Sequence, residues 1–412
     1  MRRPTPLLNL GTPYLSPGTI GQGYTLPTGA VWNPWFMLYG TLQTAAQGVY
    51  QDSTSTSEWA TRLDLYGNLQ LSGTERLLLG FRPLDRNGGF TGYGFQGEPE
   101  GWQDAWSGEP IALFFEGDFS QLFPGRRPLR GPVADWGFTV GRQPATFQQG
   151  LLLDDDLDMF GLIRNTRLPR QGANLRHSLV MAWNEIHRDN NREDEESYLF
   201  GSFNAYDGPS RTLEADLIYV DDQAGVSSAV YGGLAAIQRV NRVNLSLRAL
   251  VSQTLNEETA AASDGLLFFG EFSTTPNGTE NLAYVNVFWG LDRFTSAARG
   301  PDRGGALGRT GILYEAVGIG RYGAPLVNRP EDAVGFALGY QMFFDHQRRQ
   351  LVLELGGRTN TDSAMVDSGA GFGGRFQQAF GQHSILRMDA FVADHEQTGS
   401  RYGGRVHLQR EF

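Results

Sequence analysis

The feature that most constrains this chain is a strict alternation of apolar and polar side chains over stretches longer than an ordinary sheet needs. In residues 59–71, Trp59, Leu63, Leu65, Leu69 and Leu71 fall on one side of an extended chain, and Arg62, Asp64, Tyr66, Asn68 and Gln70 on the other. After the short turn Ser72–Gly73–Thr74, Leu77, Leu79 and Phe81 alternate with Arg76, Gly80 and Arg82. Leu213, Ala215, Leu217 and Tyr219 oppose Thr212, Glu214 and Asp216, and Val243, Leu245, Leu247, Ala249 and Val251 oppose Asn244, Ser246 and Arg248. A period of two places successive side chains on opposite faces of a strand, so each of these stretches reads as a strand with one face in an apolar medium.

A soluble β-sandwich alternates too. Two features favour a closed barrel in a membrane. The strands run about 10 to 15 residues, the length of a tilted bilayer crossing, whereas sandwich strands are nearer ~5–6. Aromatics also stand near the strand ends, at Trp35, Trp59, Trp136, Trp289 and Tyr402, where interfacial girdles lie. Counting segments from 35–50 to 400–412 gives about eighteen antiparallel strands, an even number as expected for a single-chain barrel with both ends on the periplasmic side. Connection lengths agree for most of the chain: short turns at 72–74, 208–210, 241–243, 276–280 and 346–349 alternate with longer ones at 85–109, 145–155, 189–195, 256–264 and 294–332, the exception being 123–134, long for a periplasmic turn. A further hairpin near 311–322 would alter the count. Residues 1–34, rich in Pro, Gly and Thr, form an N-terminal extended segment that is either a periplasmic arm or a lumenal one, and 35–412 form the barrel.

Composition narrows the function. No run of ~18 apolar residues offers a transmembrane helix, and the negative mean hydropathy is what alternating lipid-facing and lumen-facing positions produce. The N-terminus lacks the apolar run of a signal peptide, so an exported form would read as a mature chain with an added methionine. The 412 residues contain no cysteine, which removes disulfides, thiolate metal sites, cysteine nucleophiles and covalent c-type haem. All 34 basic side chains are arginine, and 45 acids leave a net charge of −11. That balance disfavours nucleic acid, whose binding rests on basic surface.

The C-terminal RYGGRVHLQREF places Tyr402, Val406, Leu408 and Phe412 on one face and Arg405, His407, Gln409 and Glu411 on the other, with Arg410 where an apolar residue is expected. It resembles the terminal strand by which the assembly machinery of Gram-negative outer membranes recognises its substrates. The stretch FTVGRQPATFQQGLLLDDDLDMFGLIR at 138–164 is similar to outer-membrane porins, many of which carry a strand ending in Val-Gly-Arg-Gln followed by a loop with glycine and acids. The eighteen-stranded alginate-export and substrate-specific porin families are the nearest comparison. The resemblance implies transport of small polar or anionic compounds, with lipid and lipopolysaccharide as surroundings.

If the apolar faces meet lipid, the opposite faces line the pore with Arg62, Asp64, Arg76, Arg82, Glu214, Asp216, Arg248, Glu354, Arg387, Asp389 and Arg405. A basic side chain facing lipid near the midplane would cost ~2–4 kcal/mol. Arginine rows opposite acids make a transverse field that orients polar solutes, or else a salt-bridged, partly filled lumen. The 294–332 connection, with Arg299, Arg303, Arg309, Arg321 and Arg329, is either an inward constriction whose guanidinium forks suit carboxylate or phosphate, or a solvated external loop.

Asp154, Asp155, Asp156 and Asp158, and then Asp189, Glu193, Asp194, Glu195 and Glu196, lack EF-hand spacing and read as solvated acidic loops rather than calcium sites. Arg126, Arg127 and Arg130 read as a turn or headgroup contact, or a patch for a periplasmic partner. The six histidines form no HExxH pair, and no GxSxG turn is present. No metal, cofactor or catalytic group is expected. The leading expectation is an outer-membrane channel for small polar or anionic solutes. The alternative is a structural sheath around a partner such as an electron-transfer cytochrome.

Overall fold

A computed structural model of the chain describes residues 5–11, 22–86, 88–124, 136–167, 173–188, 197–222, 227–259, 261–362 and 366–412. Its barrel strands are β1 (Trp35–Gln51), β2 (Thr54–Gln70), β3 (Arg76–Phe81), β4 (Pro110–Asp118), β5 (Gly137–Phe147) and β6 (Leu153–Arg167). There follow β7 (Asn174–Asn184), β8 (Ser197–Asp207), β9 (Arg211–Asp221), β10 (Ala229–Val240), β11 (Val243–Thr254) and β12 (Gly265–Thr274). The ring continues through β13 (Leu282–Arg293), β14 (Glu331–Phe344), β15 (Arg349–Asn360), β16 (Gly369–Phe380), β17 (Ser384–His395) and β18 (Gly399–Glu411). Each pairs antiparallel with its sequence neighbours, and β18 closes on β1 from Arg401 opposite Gln51 to Glu411 opposite Thr41. The eighteen-stranded antiparallel barrel is the architecture the alternation implies. Closure joins the last strand to the first, so the ring has no free edge at that seam, as a lipid-exposed sheet requires.

The seam shows how the termini are used. Phe412 exchanges both backbone hydrogen bonds with Gly40, at 2.9 and 3.0 Å. Beyond the point where β18 ends, Leu8–Leu10 runs antiparallel to β1, with Leu8 opposite Leu38. Arg410 is exposed on the outer face with Val406 and Leu408.

The outer face carries the exposed apolar row, including Leu217, Leu234, Leu247, Phe336, Leu355, Phe372 and Val406. Aromatic pairs gird the end bearing the long connections: Tyr50 stacks on Tyr402 at 4.8 Å and Phe268 lies tilted beside Trp289 at 5.8 Å. Among the described residues no helix is long and apolar enough to cross a membrane. The chain crosses with strands, as an outer-membrane barrel does.

The connections differ from the alternation-based reading in three places. Residues 145–147 and 153–155 are strand, so the β5–β6 connection shrinks to 148–152. The 85–109 connection holds short strands of its own, of which Gly89–Gln96 extends the sheet beside the upper part of β2, from Thr61 opposite Thr91. Residues 311–322 form turns and no strand, so the count stays at eighteen. Arg126, Arg127, Arg130 and the acids from Asp189 to Glu196 lie outside the described residues.

Two segments turn into the barrel. An eighteen-stranded ring is too wide for wall side chains to fill, and here the chain itself occupies the space. Above Arg142 and Asp158 the β5–β6 hairpin has no further pairing with β4 or β7. Its tip turns through positive φ at Gln148, Gln149 and Gly150 and reaches the inner faces of β8 and β9, where Phe147 stacks on Phe203 and Gln148 Nε2 donates to Asp216 at 2.7 Å. The second segment, 294–330, pairs Ala298–Arg299 in parallel with Leu153–Asp154 of that hairpin. Between hairpin and wall lies an apolar core of Leu151, Leu152, Leu153 and Leu157 against Ile218, Val220, Tyr231, Leu250 and Phe269. Fully burying each leucine contributes about 1.5–3 kcal/mol. This is why β9 places Ile218 and Val220 on its inward side where polar residues are the rule.

Candidate functional site

Each strand contributes inward side chains at every second position, and the eleven charged residues taken from the alternation all sit opposite the exposed apolar row. They fall into separate clusters, most of which the 294–330 connection ties together.

The first cluster joins β2, β3 and the connection. Asp64 receives Arg62 Nε at 3.1 Å and Arg82 Nε at 2.9 Å. Arg82 also reaches Asp302 at 3.1 Å, and Arg62 donates to the Gly318 carbonyl at 2.9 Å. Facing them on the inserted β5–β6 hairpin, Asp156 pairs with Arg303 at 3.2 Å. Burial alone would raise the Asp302 carboxyl, but Arg82, Arg303 and Arg62 outweigh it and hold it below the usual carboxylate range. Opposite charges are thus brought together from two walls and the connection.

The second cluster lies on β16–β18. Asp389 binds Arg375 Nε at 2.5 Å and Arg405 Nη2 at 2.9 Å, and Arg375 also reaches Glu315 of the connection at 2.5 Å. Arg387 contacts the Gln377 side chain at 3.4 Å and has no carboxylate partner among the described residues. Buried Arg387 Nε, Arg405 Nη1, His407 Nε2 and Tyr322 Oη have no hydrogen-bond partner among the described residues.

The third cluster pins the middle of the connection. Arg248 and Arg309 share Glu271, at 2.8 and 3.1 Å. Glu354, 1 % exposed, accepts the backbone N–H groups of Ile312 at 3.0 Å and Leu313 at 2.9 Å, and the Tyr284 hydroxyl donates to it. The chain comes this close only because residue 311 is glycine: a Cβ there would collide with the Glu354 carboxylate. Arg76 pairs with Glu116, while Glu214 stands beside Asp216 on β9.

The five arginines of the connection have different surroundings. Arg299 is buried, binding the Gly150 carbonyl and Ser296. Arg303 and Arg309 pair with acids as above. Arg321 pairs with Glu58 of β2 at 2.9 Å and donates to the Glu98 carbonyl. The Arg329 side chain is exposed, and among the described residues only its carbonyl is engaged, by Arg358 at 2.8 Å. The remaining path is held from the wall: Arg401 donates to the carbonyls of Tyr322 and Ala324, and Arg358 to that of Val327.

The Asp154–Asp158 acids are not a solvated loop. They lie on β6, Asp155 is buried, and it accepts the His187 backbone N–H at 2.9 Å. Among the described residues no group of three or more His, Asp or Glu is placed to hold a metal. Sequence reasoning missed Glu58, Asp302, Glu315, Arg358, Arg375 and Arg401. Alternation along β15, β16 and β18 marks Arg358, Arg375 and Arg401 as inward; nothing local marks Asp302 or Glu315.

Comparison with solved structures follows the geometry. A BenF-like porin from Pseudomonas fluorescens Pf-5 matches with a TM-score of 0.61 at 12% identity, over 92% of this chain and 98% of that one. Pseudomonas aeruginosa OpdK, solved with vanillate, matches with 0.57 at 13% identity, over 91% and 98%. Pseudomonas aeruginosa OccK5 (OpdH) matches with 0.55 at 14% identity, over 91% and 98%. No family model and no curated protein matches the chain. The chain therefore has the fold of an outer-membrane porin barrel.

Proposed function

We propose that the protein is an outer-membrane channel that passes small polar solutes, anionic ones preferentially, along a lumen lined by arginine. The observation that carries this reading is the second cluster, where among the described residues Arg387 has no carboxylate partner and the buried Arg405 Nη1 beside it has no hydrogen-bond partner. A buried donor without a partner costs about 1–3 kcal/mol, which water or a passing carboxylate removes. Guanidinium forks match carboxylate geometry. Arg62, Asp64, Arg82, Glu354, Asp389 and Arg405 line or brace the path, and the 294–330 connection narrows it. The neighbour solved with vanillate, an aromatic carboxylate, supports the same solute class. A sheath around a threaded partner fits less well, because the chain's own connection spans the lumen from Glu271 to Glu58.

The test is single-channel recording of the purified barrel in planar bilayers, with selectivity from reversal potentials. Stable steps with anion preference, reduced in Arg387→Gln, are expected. Absence of steps from a folded barrel, or anion preference unchanged in Arg387→Gln, would overturn the reading.

A further inference from the structure

We infer that the barrel wall carries a side portal between β4 and β7, through which small amphiphiles with a cationic head pass between the outer leaflet and the lumen. Arg142 is opposite Leu113 of β4 on one side and Asp158 of β6 on the other, and Asp158 is opposite Trp183 of β7. Directly opposed residues share a face, and Leu113 is 44% exposed on the apolar outer side. Arg142 and Asp158 are therefore outer-face residues at the level where the β5–β6 hairpin leaves the wall. Above them the hairpin has turned inward, and among the described residues no strand pairs across the two strand widths, roughly 10 Å, between β4 and β7.

A cavity of about 630 Å³ occupies this place. Its lining comes from both faces of the sheet: Arg82 and Asp302 from the lumen, and Leu113, Arg142 and Glu185 from outside. A depression on either surface alone would not join these sets. Its charge is unbalanced toward acid. Seven acids line it against Arg82, Arg86 and Arg142; Arg142 is shared by Glu185 and Asp158, Arg82 by Asp302 and Asp85, and Arg303 takes up Asp156, so acid remains in excess. A cationic head suits that surplus. The outer rim supplies an apolar ledge: Trp102 belongs to the last strand of the wall on that side, Gly101–Gln103, and Trp106, 63% exposed, precedes the cavity-lining Ser107.

Two measurements test this. In planar bilayers, the current of the wild-type barrel is blocked by tetramethylammonium and by decyltrimethylammonium added externally. Block by the tailed ion is expected to be stronger by about tenfold or more, the effect of burying two methylene groups. Ile111→Trp, which narrows the outer rim, is expected to abolish that difference while conductance in simple salt is unchanged. The second needs only a folded barrel, so it stands even where conduction fails. A fluorophore on Glu185→Cys, unique in a chain without cysteine, is expected to be quenched by brominated acyl chains and also by aqueous iodide. Equal block by the two ions, a tail effect that survives Ile111→Trp, or no quenching by brominated lipid would each overturn the portal.

Discussion

Arg82, immediately after β3, and Asp302 of the inward connection meet at 3.1 Å, although 220 residues separate them along the chain. The contact ties a barrel wall to a segment that begins ten strands later, and it sets how much free positive charge Arg82 and Arg62 show to the lumen. Asp302→Asn leaves the two guanidinium groups chiefly to Asp64 and Asp85. Anion over cation permeability is expected to rise roughly two- to fivefold, the equivalent of ~0.4–1 kcal/mol for a solvent-reached ion pair. Reversal potentials in a salt gradient measure it, and an unchanged ratio would remove Asp302 from the path.

The same residue sets an acid limit. Burial opposes ionisation of Asp302, but Arg82, Arg303 and Arg62 prevail, so its folded value lies below the usual one. A group depressed in the folded state stabilises fully above its unfolded pKa, about 3.9 for Asp, and that stabilisation is lost as pH falls through the folded value. Selectivity governed by Asp302 should therefore be flat from pH 8 down to about 4 and shift toward anions only below. A midpoint near neutrality in the wild type, absent from Asp302→Asn, would contradict this.

How far the sequence reveals this molecule depends on the range of the cause. Alternation is local, so the strands, their number and the inward side of Arg62, Asp64, Arg248 and Arg405 can be read directly. The inward turn of the β5–β6 hairpin is not local. Residues 145–155 read as an external loop because Leu151–Leu152–Leu153 breaks the alternation. The run exists to pack against Ile218, Val220 and Tyr231, which lie more than sixty positions away. The inward Ile218 and Val220 were the available signal: two apolar residues on the face that should meet water. The acids of β6 seemed solvated for the same reason, since their partners His187 and Arg303 come from other connections.

Leu152 tests that packing. It is fully buried at the tip of the hairpin, and its carbonyl accepts the Ala297 N–H at 2.9 Å. Leu152→Ala keeps the backbone bond but opens a cavity between hairpin and wall, at a cost of about 2–5 kcal/mol. Wild-type ring closure is untouched, so the barrel should still fold while the hairpin loosens. The expected result is a lower unfolding temperature on heat-modifiability gels, together with noisier and larger conductance. Lower stability with quiet, unchanged current would mean the hairpin does not bound the passage.

Glu354 offers the sharpest way to release the connection. Its carboxylate takes the N–H groups of Ile312 and Leu313 and the Tyr284 hydroxyl, and it is closely approached because Gly311 has no side chain. Glu354→Ala leaves two backbone donors without an acceptor, a loss of about 1–3 kcal/mol each where they stay buried. Tyr284→Phe removes one donor and leaves both backbone bonds, so its cost should stay near 0.5–1.5 kcal/mol. Gly311→Ala changes no hydrogen-bonding group and should still displace the segment by collision. If the segment narrows the path, Glu354→Ala and Gly311→Ala will raise single-channel conductance together while Tyr284→Phe stays close to wild type. Conductance that follows stability in all three, with Gly311→Ala unaltered, would show that Glu354 braces the wall and does not position the connection.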